Sequence, residues 1–426
     1  MPDLSWLFHA LAAATAIGVP LYAWHARGRI YAIFSAVMLA ISLPGLIVLH
    51  ARLTSWLGEP GATWVDAAFA AGMAATGIQL AQLASAKLRG PLHRIFISIP
   101  GQAFLAAGPL SGAWLLALLP LRALMDLLNW QAALAVMAWL DLAPLVLCAA
   151  SIRTSLQLRT ETVRVRLGQA GPREIQRVPV ERYRGQAPRP LEERSLRIVQ
   201  ITDPHLGPWQ SVRQLQRTLE SLLSKQPDLV LLTGDFLTME GRGTPGALAR
   251  AFEPLRSYSG RCYAIFGNHD HEDPDEVRQA LETNRVDLLI DEERWIETPI
   301  GSVQLIGADY RGREREQHIR ELLARFPRHP ESLRLLLLHD PLGFQYVPED
   351  DVDLTLSGHT HGGQVGLVSA GLSWTVLSRS RWPDHGLFAR GAGRLYVHRG
   401  TGFYGFPLRI GVPGEASVLE VVPQPG

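Results

Sequence analysis

Apolar runs long enough to cross a bilayer constrain this chain before any other feature does. A hydrocarbon core takes about 20 consecutive apolar residues in a helix. Within the first 150 residues, four stretches qualify: 4–24, 30–50, 64–86 and 130–150. A fifth, 95–119, is interrupted by Pro100, Gly101 and Pro109, so four to five spans are expected. Trp6 and Trp24 bracket the first run, roughly 27 Å apart at a rise of 1.5 Å per residue, which is about one hydrocarbon thickness. A bundle of buried soluble helices is the alternative, and such a succession of nearly charge-free runs argues against it.

Charge separates this region from the rest. Residues 1–150 hold 7 Lys/Arg and 5 Asp/Glu, leaving 34 and 35 of the chain's 41 and 40 to the other 276 residues. The start, "MPDLSW", lacks the basic segment of a cleaved signal peptide. Arg27/Arg29, Lys87/Arg89/Arg94 and Arg153/Arg159 mark alternate connections. Arg52 and Arg122 on the opposite side are offset by Glu59 and Asp126. The positive-inside rule then puts the N-terminus outside and the soluble part in the cytoplasm, as a multi-pass protein of the cell's inner membrane. Asp141 lies within the last run, where an ionisable group is either functional or turned toward a neighbouring helix.

Past Thr160 the pattern alternates as strands do. "TVRVRL" is expected to pair with "EIQRVPVERY" before a link, "RGQAPRPLEERS". The organisation expected is a transmembrane region over 1–152, a strand-containing linker and start of the soluble domain over 153–195, and an α/β domain over 196–426. The transition itself falls near residues 151–158. Cys148 and Cys262 sit in apolar runs and suit small core residues, not a disulfide framework or a zinc site. The near-neutral domain charge disfavours a nucleic-acid backbone as partner, and no feature calls for an obligate protein partner.

Five apolar strands each end in ligand-type residues. "LRIVQIT" runs into "DPH", "LVLLT" into "GD", "CYAIF" into "GNHD", "LRLLLL" into "HDP", and "VDLTL" into "SGHTH". Helical segments with start signals lie between the early strands: Ser211 before "VRQLQRTLESLLSK", and Asp273-Pro274 with Glu276. Continuous apolar strands alternating with helices indicate an α/β sandwich, and open α/β folds collect ligands at strand carboxyl ends. Asp203 and His205, two apart at a strand end, point to one side and can share one ion. His359 and His361 can do the same, or reach two ions across a glycine turn.

The ordered set D-x-H, G-D, G-N-H-D, H and G-H-x-H resembles the calcineurin-like metallophosphoesterases, over residues 196–422. The closing "HRGTGFYGFPLRIGVPGEASVLEV" is similar to the bacterial membrane-associated branch, which includes hydrolases of UDP-2,3-diacylglucosamine. The resemblance implies a two-sheet sandwich flanked by helices and a dinuclear divalent metal centre. By that likeness Asp203, His205, Asp235 and His361 hold one ion. Asp235, Asn268, His339 and His359 hold the other, with Asp235 bridging. Such donors suit Mn, Fe or Zn. His269 is left to protonate the leaving group or steady the phosphate, with Asp270 as orienting partner. The family's G-D-x-x-D departs here to "GDFLT", with Thr238 where a second Asp usually supports the catalytic histidine.

The function expected is membrane-anchored, metal-dependent hydrolysis of a phosphodiester or pyrophosphate that is lipid-linked or carries a nucleotide. A phosphodiesterase for a soluble nucleotide and a non-catalytic membrane sensor are the alternatives. "GTGFYG" fits a dinucleotide fingerprint only on paper, because Pro407 and "LRIGV" follow where a helix is required. Arg311 and Arg399 are expected at the surface, with phosphate contact as the alternative.

Overall fold

The computed structural model describes residues 5–184 and 195–423. The chain divides into two compact units, Met1–Arg153 with Gly405–Ile410, and Thr154–Tyr404 with Gly411–Gly426.

In the first unit five helical stretches are long and apolar enough to cross a membrane: Trp6–Ala26, Arg29–Leu57, Gly61–Ser85, Pro91–Leu127 and Gln131–Leu156. The proline-interrupted run is therefore a full span. Pro100 follows a π-helical turn, Arg94–Ser98, in a helix already running from Pro91, and Pro109 and Pro120 lie inside Ile99–Leu127. Prolines are tolerated within spans where local π adjustment and neighbouring helices satisfy the freed backbone groups. Small residues let these helices touch. A Cβ on Gly45 would meet the Gly108 carbonyl oxygen at 2.1 Å, the close approach that replaces hydrophobic driving force in lipid. The last span breaks between Leu140 and Ala143. Asp141 lies at that break, buried, with Oδ2 2.9 Å from Arg52 Nε and Oδ1 on Arg122. The carboxylate thus faces neighbouring helices and is paired.

The second unit contains, in chain order, strands β1 (Leu158–Arg166), β2 (Gln176–Arg177), β3 (Glu181–Arg184), β4 (Leu196–Ile201), β5 (Leu229–Leu232), β6 (Cys262–Ala264) and β7 (Asp287–Leu288). Then come β8 (Glu292–Thr298), β9 (Gly301–Ala308), β10 (Leu333–Leu338), β11 (Leu354–Ser357), β12 (Gly386–Arg390), β13 (Gly393–Val397) and β14 (Gly414–Val422). They form two seven-stranded mixed sheets, in the orders β3-β1-β14-β4-β5-β6-β7 and β2-β12-β13-β11-β10-β9-β8. Between the sheets lies one core built from both, with Ile198, Leu229 and Leu419 facing Leu335, Leu354 and Tyr396. A second core under the helix Arg315–Arg325 covers the other face of the β8–β13 sheet. All four residues of β5 and of β11 are buried, as strands covered on both faces must be.

Residues 158–184 serve both sheets. β1 pairs in parallel with β14 over nine residues, and β3 pairs antiparallel on its other side. β2 instead joins β12 in the opposite sheet, so the pairing expected of "EIQRVPVERY" is divided between the layers. The segment 185–194, most of the expected link, lies outside the described residues. The helix Val212–Leu223 starts on a capping box of Ser211 and Gln214. The helix Pro274–Thr283 starts at Asp273 with Pro274 in its first turn, but without a side-chain cap bond.

Candidate metal centre

The five strands read from the sequence are β4, β5 and β6 in one sheet and β10 and β11 in the other, and the residues beyond their carboxyl ends meet. The backbone there is bent for the purpose. Asp203, His205, Asp235, His359 and His361 all adopt positive φ, between 41° and 68°. Left-handed backbone costs a non-glycine residue about 1–3 kcal/mol and clusters at functional sites. The loops after β4 and β5 are zipped together by Asp203 N to Gly234 O (2.9 Å) and Leu206 N to Phe236 O (2.8 Å). Gly358 is required: a Cβ there would stand 2.2 Å from Asp203 Oδ2.

Two groups of donors result. In the first, His361 Nε2 lies 3.1 Å from Asp203 Oδ1 and 3.2 Å from His205 Nε2. In the second, His339 Nε2 lies 3.2 Å from Asp235 Oδ2, 3.2 Å from His359 Nδ1 and 3.2 Å from Asn268 Oδ1. Asp235 Oδ2 is also 3.6 Å from His205 Nε2, so one carboxylate oxygen touches both groups. The two histidines of the glycine turn part company, His361 to the first group and His359 to the second.

Burial and charge oppose each other here. Burial alone would raise Asp203 and Asp235, but the histidines against them, His361 for the one and His339 for the other, hold both well below the usual carboxylate range. Burial lowers His205 to about 3. Burial lowers His339, but the Asp235 and Asp203 carboxylates and the Thr233 carbonyl together raise it to about 10. Imidazole nitrogens facing one another at 3.2 Å among buried carboxylates form a set of lone pairs aimed at common points. Carboxylate, imidazole and amide oxygen without thiolate fit divalent ions such as Mn, Fe or Zn.

Beside these groups the structure departs from expectation. Asp270 does not orient His269. Its carboxylate accepts the backbone N–H groups of Asp235 (2.7 Å), Phe236 (2.9 Å) and Gly267 (2.7 Å), because the 3₁₀ turn after His269 swings it under the β5 loop. Burial and then the charge of Asp235 push Asp270 up to about 7. Glu272 is the partner of His269, with Oε1 2.6 Å from Nδ1, and Arg242 pairs with Glu272 in turn. Burial lowers His269, but the bond to Glu272 and the charge of Asp235 leave it raised overall. Thr238 takes a different role, capping the turn Met239–Arg242 through Gly241 N. The sequence signal for Glu272 was its i+3 spacing from His269.

The rejected glycine motif also has work at the site. Tyr404 stacks on His205 at 5.3 Å between ring centroids and meets His269 edge-on at 5.1 Å. Its N–H donates to His361 Nδ1 at 3.3 Å. Arg399 is buried instead of exposed, with Glu161 at 3.1 Å and Glu415 at 3.5 Å. Arg311 is exposed, 3.3 Å from Asp309. Arg311 is thus at the surface as expected, and Arg399 is not.

Comparison with known proteins agrees with the geometry. The profile described as calcineurin-like phosphoesterase matches residues 196–363. A metallophosphoesterase of Bacillus subtilis, YkoQ, is 32% identical over 241 residues, 54% of this chain and 84% of its own length. The chain belongs to the calcineurin-like metallophosphoesterases. Phosphodiesterase YaeI of Escherichia coli is 28% identical, over 53% of this chain and 82% of its own. A Danio rerio transmembrane protein with a metallophosphoesterase domain is 28% identical, over 56% of this chain and 54% of its own. The chain spans about 61% of the length of two Helicobacter pylori metallophosphoesterases that it also matches. With five apolar spans ahead of the metallophosphoesterase domain, it is a membrane protein.

Proposed function

We propose that this metallophosphoesterase is a membrane-anchored hydrolase of a lipid-linked phosphodiester or pyrophosphate, with its site on the cytoplasmic side of the inner membrane. The observation that carries the reading is the shared carboxylate, Asp235 Oδ2, within 3.6 Å of His205 and 3.2 Å of His339. Asp203, His205, Asp235 and His361 would hold one divalent ion, and Asp235, Asn268, His339 and His359 the other. Two such ions supply positive charge for the phosphoryl oxygens and make a nucleophile available at neutral pH.

The chain's own residues do the rest. Glu272 fixes the His269 tautomer with the proton on Nδ1 or, in the doubly protonated ring, leaves Nε2–H free to donate to the leaving oxygen. Tyr404 packs against His205 and His269 and limits how far either ring can turn. The apolar spans favour a substrate held in the bilayer, and the name of the Escherichia coli relative favours a diester.

The test is a hydrolysis series on the full chain in nanodiscs, loaded with Mn, Fe or Zn. Lipid-linked pyrophosphates in the same bilayer are compared with soluble nucleotide phosphodiesters. Faster turnover of the lipid-linked class is expected. Turnover of soluble nucleotides alone would replace the reading by a nucleotide phosphodiesterase, and metal binding without any hydrolysis would leave a sensor.

A further inference from the structure

The metallophosphoesterase unit hides its apolar side chains with one local exception. Among its described residues five large apolar side chains are exposed, and four of them fall within ten positions: Leu367, Leu372, Trp374 and Val376, at 46–55%. The stretch 365–383, "VGLVSAGLSWTVLSRSRWP", contains no acidic residue, and its two arginines, Arg379 and Arg381, are both exposed. Concentrated exposure of this kind marks an interaction surface, whereas scattered apolar residues do not.

The stretch is built, not loose. Leu367 N bonds Trp374 O at 2.9 Å and Val376 N bonds Val365 O at 3.0 Å. Trp374 and Val376 therefore share the outward face while Thr375 between them is buried. Thr375 Oγ1 donates to Asp384 Oδ2 at 2.5 Å. The Asp384 carbonyl in turn accepts Thr360 Oγ1 at 2.6 Å, and Thr360 stands between His359 and His361. An apolar, basic hairpin is thus braced directly to the turn that carries two candidate metal ligands.

We propose that this hairpin is a membrane-surface contact. Leu367, Leu372, Trp374 and Val376 enter the headgroup layer, and Arg379 and Arg381 meet anionic headgroups. Three observations select a bilayer as occupant. The chain already carries five apolar spans. Tryptophan is the side chain most at home at the membrane interface. Arg379 and Arg381, exposed and in no ion pair among the described residues, complement anionic lipid, each contributing to surface binding. The consequence for catalysis rests on the lipid-linked reading above: an amphiphile leaving the bilayer along the hairpin arrives beside His359 and His361.

The experiment labels full-length L372C with an environment-sensitive fluorophore, Cys148 and Cys262 being buried. The protein is placed in nanodiscs containing phosphatidylglycerol. The expected result is a blue-shifted spectrum quenched by lipids carrying a nitroxide near the headgroup, weaker in phosphatidylcholine alone. The same label at exposed Glu282, as E282C, should stay unquenched. A water-like, unquenched spectrum at position 372 would overturn the proposal. So would efficient disulfide coupling between two unlabelled L372C chains, which would assign the face to a second copy. Leu372→Asp with Trp374→Asp should leave hydrolysis of bis(p-nitrophenyl) phosphate unchanged and lower that of a bilayer-embedded pyrophosphate about tenfold, through lost local concentration. Quenching in a protein that hydrolyses no lipid would retire the lipid-substrate reading and leave the contact standing.

Discussion

Glu272 Oε1 stands 2.6 Å from His269 Nδ1, one 3₁₀ turn along the chain. The pair raises the proton affinity of His269, so the ring stays protonated to higher pH. As a general acid it would be active below its own pKa and lost as pH rises through it. Glu272→Gln removes the charge, so the alkaline limb of kcat/KM should move to lower pH. His269→Ala should keep its metal content while kcat falls by about 10²–10⁴, and the loss should shrink with nitrophenyl leaving groups. An unmoved alkaline limb in Glu272→Gln would take Glu272 out of the reaction.

Asp235→Asn tests the shared carboxylate. One oxygen serves both donor groups, and metal affinity depends on ligand charge. Turnover should nearly vanish, and metal analysis of the purified full chain should show both ions weakened. Two tightly held ions per chain in that variant would contradict the bridging role.

Asp270→Asn separates support from chemistry. A carboxylate satisfies three backbone N–H groups at 2.7–2.9 Å, whereas an amide must turn its NH₂ toward one of them. Leaving a buried N–H unmatched costs about 1–3 kcal/mol. Thermal unfolding should come earlier and the ions should bind less tightly, while the dependence on leaving group stays as in the native protein. A changed leaving-group dependence would restore Asp270 to proton transfer.

What the sequence could show follows from the range of each signal. β4, β5, β6, β10 and β11 were readable because burial on both faces makes them uninterrupted apolar runs, and every one ends at the site. Asp203, His205, Asp235, Asn268, His339, His359 and His361 were readable as an ordered series. Glu272 and Asp270 were not correctly assigned, because which of two nearby carboxylates reaches His269 depends on the short 3₁₀ turn Asp270–Glu272, which sets residue i+3 and not i+1 beside the ring. β1 was legible as a strand, but its seat between β3 and β14 depends on a partner more than 250 residues away. The exposed hairpin at 367–376 reads in sequence like any apolar strand, since composition carries no record of which face is covered.

Asp141 is expected to matter for the helical unit alone. Its carboxylate joins Arg52 and Arg122, and Arg122 is itself buried with Nε and Nη1 otherwise unbonded. Breaking a buried pair by removing one partner costs about 3–5 kcal/mol. Asp141→Ala should therefore lower the temperature at which the full chain loses its helical signal in detergent. Hydrolysis of a soluble phosphodiester by the still-folded protein should be unchanged. A selective loss of that hydrolysis would tie the intramembrane charges to turnover.

The final prediction concerns where the metallophosphoesterase unit begins. The family match starts at residue 196, yet β1, from Leu158, lies between β3 and β14. Without it, β14 loses nine residues of parallel pairing and becomes a bare edge, with Leu419 and Val421 no longer covered by Val163 and Val165. Arg399 would also lose Glu161, which lies 3.1 Å from it. An open apolar edge invites pairing with other chains. Truncated protein starting at residue 157 should therefore stay monomeric, bind two ions and hydrolyse a soluble phosphodiester at the native rate. Protein starting at residue 195 should aggregate. Size-exclusion chromatography with metal analysis distinguishes them. If the shorter form is soluble and metal-loaded, β1 and β3 are additions to a unit that is complete without them.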